Sequence, residues 1–174
     1  MTGPHVEGRA WLFGDDLNTD VIHPPEYFSL NPTRVRAGLF KKYDPTIQPA
    51  LRPGDVLVGG SNFGCGSSRE TSIRSLLLNG IGAILAVDFA RIFFRNATNS
   101  GLPCLTFAAP EERHKIVAGT LITVDLDAAA VRIPGSGPIG LTPPDAFIRD
   151  IWAAGGLLNT LQARGDEEGP RAGA

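Results

Sequence analysis

The chain has 174 residues, of which 43% are hydrophobic and 20% are charged, and its formal net charge is −2. This composition is typical of one folded domain and excludes an intrinsically disordered protein. The near-neutral charge argues against a nucleic-acid-binding protein, and no apolar run reaches the ~20 residues of a membrane-spanning helix. We therefore expect neither a nucleic acid nor a membrane as a partner.

Cysteine and histidine are scarce in this chain. Cys65 and Cys104 are too few for a disulfide framework, and the three histidines are widely separated in the sequence. The first residues lack the apolar stretch of a secretory signal, so a cytoplasmic protein is expected. The two cysteines and three histidines also lack the spacing of a cysteine-ligated metal centre, and we predict that this chain supplies no metal ligand.

The N-terminal third combines one strand with a long irregular segment. A strand is predicted at residues 6–13, where Trp11 and Phe13 share one face of a period-two pattern. Six of the 14 prolines lie between Pro24 and Pro53, which leaves room in residues 14–54 only for a short helix near 33–40. A segment of this kind inside a domain is usually functional.

The middle of the chain predicts a parallel α/β unit. Strands are expected at 55–58, 83–87 and 102–107, with one helix after Ser67 and another at 90–99. Two further strands are expected at 120–126 and 131–134, and helices at 111–118 and 144–154. We predict a single α/β domain over residues 1–164 and a disordered tail over 165–174, which is charged and glycine-rich.

A glycine-rich loop before the central helix is the main candidate site. Residues 59–66 contain four glycines and lead into Ser67-Ser68-Arg69-Glu70. A helix N-terminus with two hydroxyls and a guanidinium is suited to a carboxylate or a phosphate. The alternative is an ordinary capped helix, because Ser67-x-x-Glu70 is also a capping box that starts a helix just after Ser67. The sequence pattern leaves both interpretations open.

Other polar residues are better explained by structure than by chemistry. Asp20 lies in a cluster of turn-forming residues, 14–22, and has no histidine partner at a useful spacing. Cys65 is more plausibly a small packed residue than a nucleophile, because no base can be placed beside it. Arg91 and Arg95 lie four residues apart on one helix face, where a solvated or salt-bridged arrangement is the commoner outcome.

Three blocks of sequence resemble the small subunits of 3-isopropylmalate dehydratase, in the aconitase superfamily. The blocks are Asp15-x-x-x-Thr19-Asp20-x-Ile22, then Phe63-Gly64-Cys65-Gly66-Ser67-Ser68-Arg69-Glu70, and then Phe89-Ala90-Arg91-Ile92-Phe93-Phe94-Arg95-Asn96 with Gly101-Leu102-Pro103. Their order and spacing match the family, and together with the first strand they span residues 6–107.

The resemblance implies a fold, a partner and a reaction. The fold would be the layered β/β/α swivelling domain, similar to the aconitase C-terminal domain. A separate large subunit would carry a [4Fe-4S] cluster, and this chain would bind no cofactor itself. Together they would act as a hydro-lyase of leucine biosynthesis that interconverts 2-isopropylmalate and 3-isopropylmalate by dehydration and rehydration.

The resemblance also implies roles for individual residues. Ser67 matches the catalytic serine base, and Ser68 and Arg69 match residues that bind a substrate carboxylate. Asp20 matches a catalytic aspartate that pairs with a histidine of the cluster-bearing part. By resemblance, the anion site at the glycine loop would therefore bind the substrate carboxylate next to the catalytic base.

The segment after Ile22 departs from the family pattern. Glu26 stands where family members usually have a basic residue. Phe28 and Leu30 are candidates to line an apolar pocket for an isopropyl group, whereas Arg34 or Arg36 would meet a third carboxylate. Homoaconitase, citraconate hydratase or another alkylmalate dehydratase therefore stays open as an alternative. A stand-alone anion-binding module is the alternative of a different class.

Overall fold

The computed structural model describes residues 3–67 and 69–167. The strands are β1 His5–Leu12, β2 Val56–Val58, β3 Ala83–Ala86, β4 Cys104–Thr106, β5 Leu121–Asp125, β6 Ala130–Arg132 and β7 Ile139–Gly140. The α-helices are α1 Thr19–Ile22, α2 Pro32–Ala37, α3 Ile47–Ala50, α4 Glu70–Leu78, α5 Arg91–Asn99, α6 Ala146–Ala154 and α7 Leu157–Glu167. Two 3-10 helices, Pro25–Tyr27 and Pro110–Lys115, complete the elements of the described residues.

The strands form one mixed sheet that curls until its two ends meet. Its order is β4-β3-β2-β1-β5-β6-β7, with β1 to β4 mutually parallel and β5 to β7 antiparallel to their neighbours. Phe107 forms an antiparallel bridge with Leu141, and the Thr142 amide donates to the Thr106 carbonyl at 2.8 Å. The ends of β4 and β7 are therefore joined, which protects both edges of the sheet.

Side-chain alternation divides the molecule into three layers. On β2, Val56 and Val58 enter a core shared with the antiparallel strands, whereas Leu57 enters a second core with helices α4 and α5. The same alternation separates Leu85 from Ile84 on β3. The parallel half is thus packed between the antiparallel half and the helices, which confirms the predicted α/β class with its β/β/α layers.

The predicted elements of the middle are confirmed, with shifted ends. Strands β2, β3 and β4 pair in parallel as the alternating pattern predicted, and the helix after the glycine loop ends at Asn79-Gly80, where Gly80 has φ +76°. The elements that were not predicted are α1, α3, α7, β7 and the 3-10 helix Pro25–Tyr27. Helix α7 continues to Glu167, three residues past the predicted domain end, and the rest of the predicted tail, 168–174, lies outside the described residues.

Asp55 fixes the start of β2 against β1. Burial alone would raise the pKa of this carboxyl, but hydrogen bonds from Arg9, Arg52 and Trp11 outweigh it and hold the pKa below its usual value. The carboxylate accepts from Arg9 Nη2 at 2.8 Å, from Trp11 Nε1 at 2.8 Å and from the Arg52 amide at 3.0 Å. Asp55 therefore remains charged in the folded protein at neutral pH and sets the register of the two strands.

We predict that Asp55→Ala lowers the free energy of unfolding by about 3 kcal/mol, because it leaves several donors without their acceptor. Urea denaturation at neutral pH measures this. Asp127→Ala is the control: Asp127 is exposed and lies 3.9 Å from Arg149, so a change within about 0.5 kcal/mol is expected. Equal effects of the two substitutions would contradict the assigned role of Asp55.

Candidate functional site

Three loops meet at one edge of the sheet. They follow β1, β2 and β3, and because these strands are parallel, their carboxyl ends lie at the same edge, where α/β proteins commonly bind ligands. Isolated bridges join the loops in pairs: Asn18 pairs with Cys65, and Phe63 pairs with Phe89. The fold thus brings together the three blocks that carry the family resemblance.

Acidic turn residues hold the glycine loop in place. Asp15 Oδ1 accepts from the Ser61 amide at 2.8 Å, and Asp88 Oδ1 accepts from the Asn62 amide at 2.6 Å. At Gly60 a side chain would collide with the Asp15 carboxylate, so the close approach requires glycine. Asp15 therefore has a structural role, which is to hold the glycine loop rather than to bond its own turn.

Thr19 connects the first loop to Ser67. Its hydroxyl donates to the Ser67 carbonyl at 2.7 Å, and its amide donates to the Cys65 carbonyl at 2.8 Å. Thr19 is 2% exposed, so both bonds are shielded from water. Gly66, with φ +96°, lies so close to Asn18 that a Cβ would come within 2.7 Å of its amide nitrogen. These contacts keep residues 65–67 extended alongside Asn18.

The predicted capping box is wrong. Helix α4 begins at Glu70, its N-cap is Arg69, and no side chain caps it. The bond from Thr19 to Ser67 and the bridge from Asn18 to Cys65 explain this, because they hold the segment before the helix in an extended conformation. Ser67 is exposed and free of the capping role that the sequence pattern suggested.

The proposed reactive residues lie exposed around this junction. Asp20 is exposed in α1, where its amide is capped by the Asn18 side chain at 2.8 Å, and Ser67 and Arg69 are exposed on the adjoining loop. The Arg69 guanidinium lies 4.6 Å from the centre of the Phe28 ring and makes no ion pair with any described residue. Ser68 lies outside the described residues.

A buried histidine supports Phe28. The His23 ring stacks on Phe28 with 5.5 Å between centroids, and His23 Nε2 lies 3.0 Å from the Val35 carbonyl, so this nitrogen carries the hydrogen. His23 is fully buried, and burial lowers its pKa, so the ring is neutral at neutral pH. Sequence reasoning missed this residue; its position directly before Pro24-Pro25 was the one available signal.

Leu30 and Arg34 face outward from the loop. The Leu30 side chain is 92% exposed, although its carbonyl accepts from Arg74 at 3.3 Å. Arg34 donates to the Glu26 carbonyl at 2.6 Å and lies over the Tyr27 ring at 5.8 Å. Phe28 therefore contacts Arg69, whereas Leu30 is exposed and Arg34 contacts Glu26 and Tyr27.

Glu26, which departs from the family pattern, is paired within the chain. Its carboxylate accepts from the Lys42 ammonium, and this hydrogen bond lowers the pKa of Glu26. Both side chains are more than half exposed. The negative charge is therefore balanced by Lys42 at the surface.

The described residues contain no group of three His, Cys, Asp or Glu side chains that could hold a metal ion. Cys65 is half-buried in the glycine loop, and Cys104 is buried in β4, where burial raises the pKa of its thiol. The two thiols thus belong to different elements. No helix in the described part of the chain is long and apolar enough to cross a membrane.

Comparisons with known proteins agree with this geometry. Residues 48–110 match the family model of the aconitase C-terminal domain, which places the fold in that class. The chain is 39% identical over 156 residues to a 3-isopropylmalate dehydratase small subunit of Nautilia profundicola, covering 88% of this chain and 92% of the relative. The chain is also 41% identical to a 3-isopropylmalate dehydratase small subunit of Methanopyrus kandleri, and this match covers 92% of this chain and 95% of the relative.

A solved structure extends the likeness to the whole fold. The crystal structure of a 3-isopropylmalate dehydratase from Methanocaldococcus jannaschii superposes with a TM-score of 0.85 at 37% identity, covering 94% of this chain and 97% of that one. The chain belongs to the family of 3-isopropylmalate dehydratase small subunits.

We predict that Thr19→Val lowers the free energy of unfolding by about 1–2 kcal/mol, because the Ser67 carbonyl loses its donor while the shape is kept. Thr98→Val is the matched control. The Thr98 hydroxyl is buried and has no hydrogen-bond partner among the described residues, so its replacement is expected to be neutral or stabilising. Urea denaturation of both variants measures the difference, and equal destabilisation would contradict the proposed junction.

Proposed function

We propose that this chain is the small subunit of a 3-isopropylmalate dehydratase. With a separate large subunit it isomerises 2-isopropylmalate and 3-isopropylmalate by dehydration and rehydration, a step of leucine biosynthesis in the cytoplasm. The observation that carries the proposal is the junction of Thr19 with Ser67, which gathers Asp20, Ser67 and Arg69 on one exposed edge. Membership of the family supports the same reaction.

Ser67 is the proposed base that takes the proton from the substrate carbon. A free hydroxyl is far too weakly acidic for this task, so its oxyanion needs stabilisation from nearby positive charge and amide donors. Arg69 is two residues away and has no ion pair within the described chain. Its exposed guanidinium is suited to a substrate carboxylate. Ser68 is the proposed second carboxylate ligand, by resemblance alone.

The large subunit is proposed to supply what this chain lacks. Removing a hydroxyl group calls for a Lewis acid, and a [4Fe-4S] cluster on the large subunit would provide it. The thiols of Cys65 and Cys104 lie in different elements and do not fit such a cluster. Asp20 is proposed to pair with a histidine of the large subunit, which agrees with its exposure at the site edge.

We infer a preference for an alkylmalate over a tricarboxylate. Arg34, the candidate for a third carboxylate, is bonded to the Glu26 carbonyl and lies over Tyr27. Leu30 offers an exposed apolar side chain on the same segment. Arg36, the other candidate for a third carboxylate, is also exposed, so the preference for an alkylmalate rests on the apolar side chain of Leu30 and on the family of the chain. Phe28 contributes by holding Arg69.

We predict that Ser67→Ala lowers kcat of the reconstituted enzyme by a factor of ~10²–10⁴, the usual contribution of a general base. The large subunit should still bind, because the backbone contacts of residue 67 remain. The chain with Ser136→Ala, an exposed serine in a distant turn, serves as the control and should keep full activity. Full turnover by Ser67→Ala would show that the base has been assigned wrongly.

We also predict that Arg34→Ala leaves kcat/KM for isopropylmalate within about threefold of wild type, because Arg34 has no part in binding this dicarboxylate. Rates on isopropylmalate, homocitrate and citramalate, each measured with the cognate large subunit, test this. A preference of the wild-type enzyme for homocitrate, lost in Arg34→Ala, would identify a tricarboxylate enzyme instead.

Calorimetry distinguishes the enzyme subunit from a stand-alone anion-binding module. The lone chain should bind isopropylmalate weakly, because half of the site is missing. Tight binding of a dicarboxylate by the lone chain, together with no interaction with the large subunit, would support the module.

A further inference from the structure

An open cavity lies beside α5, apart from Asp20 and Ser67. It has a volume of about 500 Å³ and lies between α5, β4 and the start of α6. Its apolar lining includes Phe89, Phe94, Leu105 and Ile148. A cavity of this size and character can accept a large apolar side chain or a small ligand.

Two arginines give the cavity a positive rim. Arg91 and Arg95 lie one helical turn apart on α5, both are exposed, and neither forms an ion pair with a described residue. Asp145 is the one acidic residue among the lining residues, and it makes no ion pair with either arginine. The rim therefore carries a net positive charge and would attract an acidic group.

The cavity adjoins a second hollow that reaches the glycine loop, because Arg91 lines both. The Ala90 amide donates to the Phe63 carbonyl at 2.9 Å, and the Phe93 ring packs against the backbone at Gly64. A second hollow of about 290 Å³ is lined by residues of the glycine loop and by the first turn of α5, including Arg91. A partner that is seated on the glycine loop would therefore lie next to the first turn of α5.

The apolar surface continues outside the cavity. Ile92, which lines the second hollow beside the glycine loop, is 55% exposed. Apolar surface next to unpaired arginines is typical of protein interfaces, in which arginine and large apolar residues are enriched. A small acid inside the cavity would leave Ile92 uncovered, whereas a protein segment would cover Ile92 and the cavity together.

We propose that Arg91, Arg95 and the cavity between α5 and α6 dock an acidic segment of the large subunit. An apolar side chain of that segment enters the cavity, and its carboxylates pair with the two arginines. The inference rests on the proposed function, because it requires the large subunit that completes the site. It adds the surface that holds the two subunits together, separate from the residues assigned to catalysis.

The test is the affinity of the chain for its cognate large subunit, measured by calorimetry at low and high salt. Arg91→Glu/Arg95→Glu should weaken binding about 100-fold at low salt, because like charges meet at the interface. Activity should return towards the wild-type value at excess large subunit. Arg52→Glu/Arg113→Glu is the matched control, since both arginines lie outside the surface and have no ion pair in the described chain. It should bind within about threefold of wild type.

The possible failures are distinguishable. If both double variants bind as wild type does and the enzyme is active, the docking surface is wrong and the proposed function stands. If the wild-type chain neither binds the large subunit nor supports turnover, the proposed function falls and the inference falls with it. Binding of hexanoate by the lone chain, lost in Arg91→Glu/Arg95→Glu while large-subunit affinity is unchanged, would assign the cavity to a small acid and overturn the proposal.

Discussion

The hydrogen bond from the Thr19 hydroxyl to the Ser67 carbonyl is the contact on which the site depends. It spans 48 positions of sequence and joins the loop after β1 to the loop after β2. Because Thr19 is buried, this bond is protected from competition with water. It holds Ser67 out of helix α4, exposed, on the same edge as Asp20. A helix that began at the capping box would have used the Ser67 side chain to cap its own backbone.

The curled sheet explains why this edge stays open. The parallel strands deliver three loops to one edge, while the antiparallel strands cover one face of the parallel half and the helices cover the other. Both apolar faces of the parallel strands are therefore buried, which leaves the loops at the strand ends as the place for function. The loops at the strand ends can therefore expose the candidate site residues to a partner while the core stays buried.

Local patterns predicted the fold best where contacts are short in sequence. The alternation of strands and helices between residues 55 and 107 was sufficient for the parallel unit. The pairing of β1 with β5, which aligns His5 with Asp125, was not predictable, because it depends on contacts between residues more than 100 positions apart. The short helix near residues 33–40 was predicted and is α2, which starts at the Asn31 cap, whereas the short helix that starts at the Asn18 cap was not predicted.

The candidate site likewise depends on contacts between residues that are distant in sequence. The residue pattern favoured a plain turn for Asp20 and left Ser67 open between a helix cap and an anion site, and only the family resemblance gave the two residues specific catalytic roles. The structure of the complex with the cognate large subunit and bound isopropylmalate tests this account most directly. We predict that Ser67 and Arg69 contact the substrate while Asp20 faces a histidine of the large subunit. Substrate bound away from the glycine loop, with Ser67 open to solvent, would contradict the account.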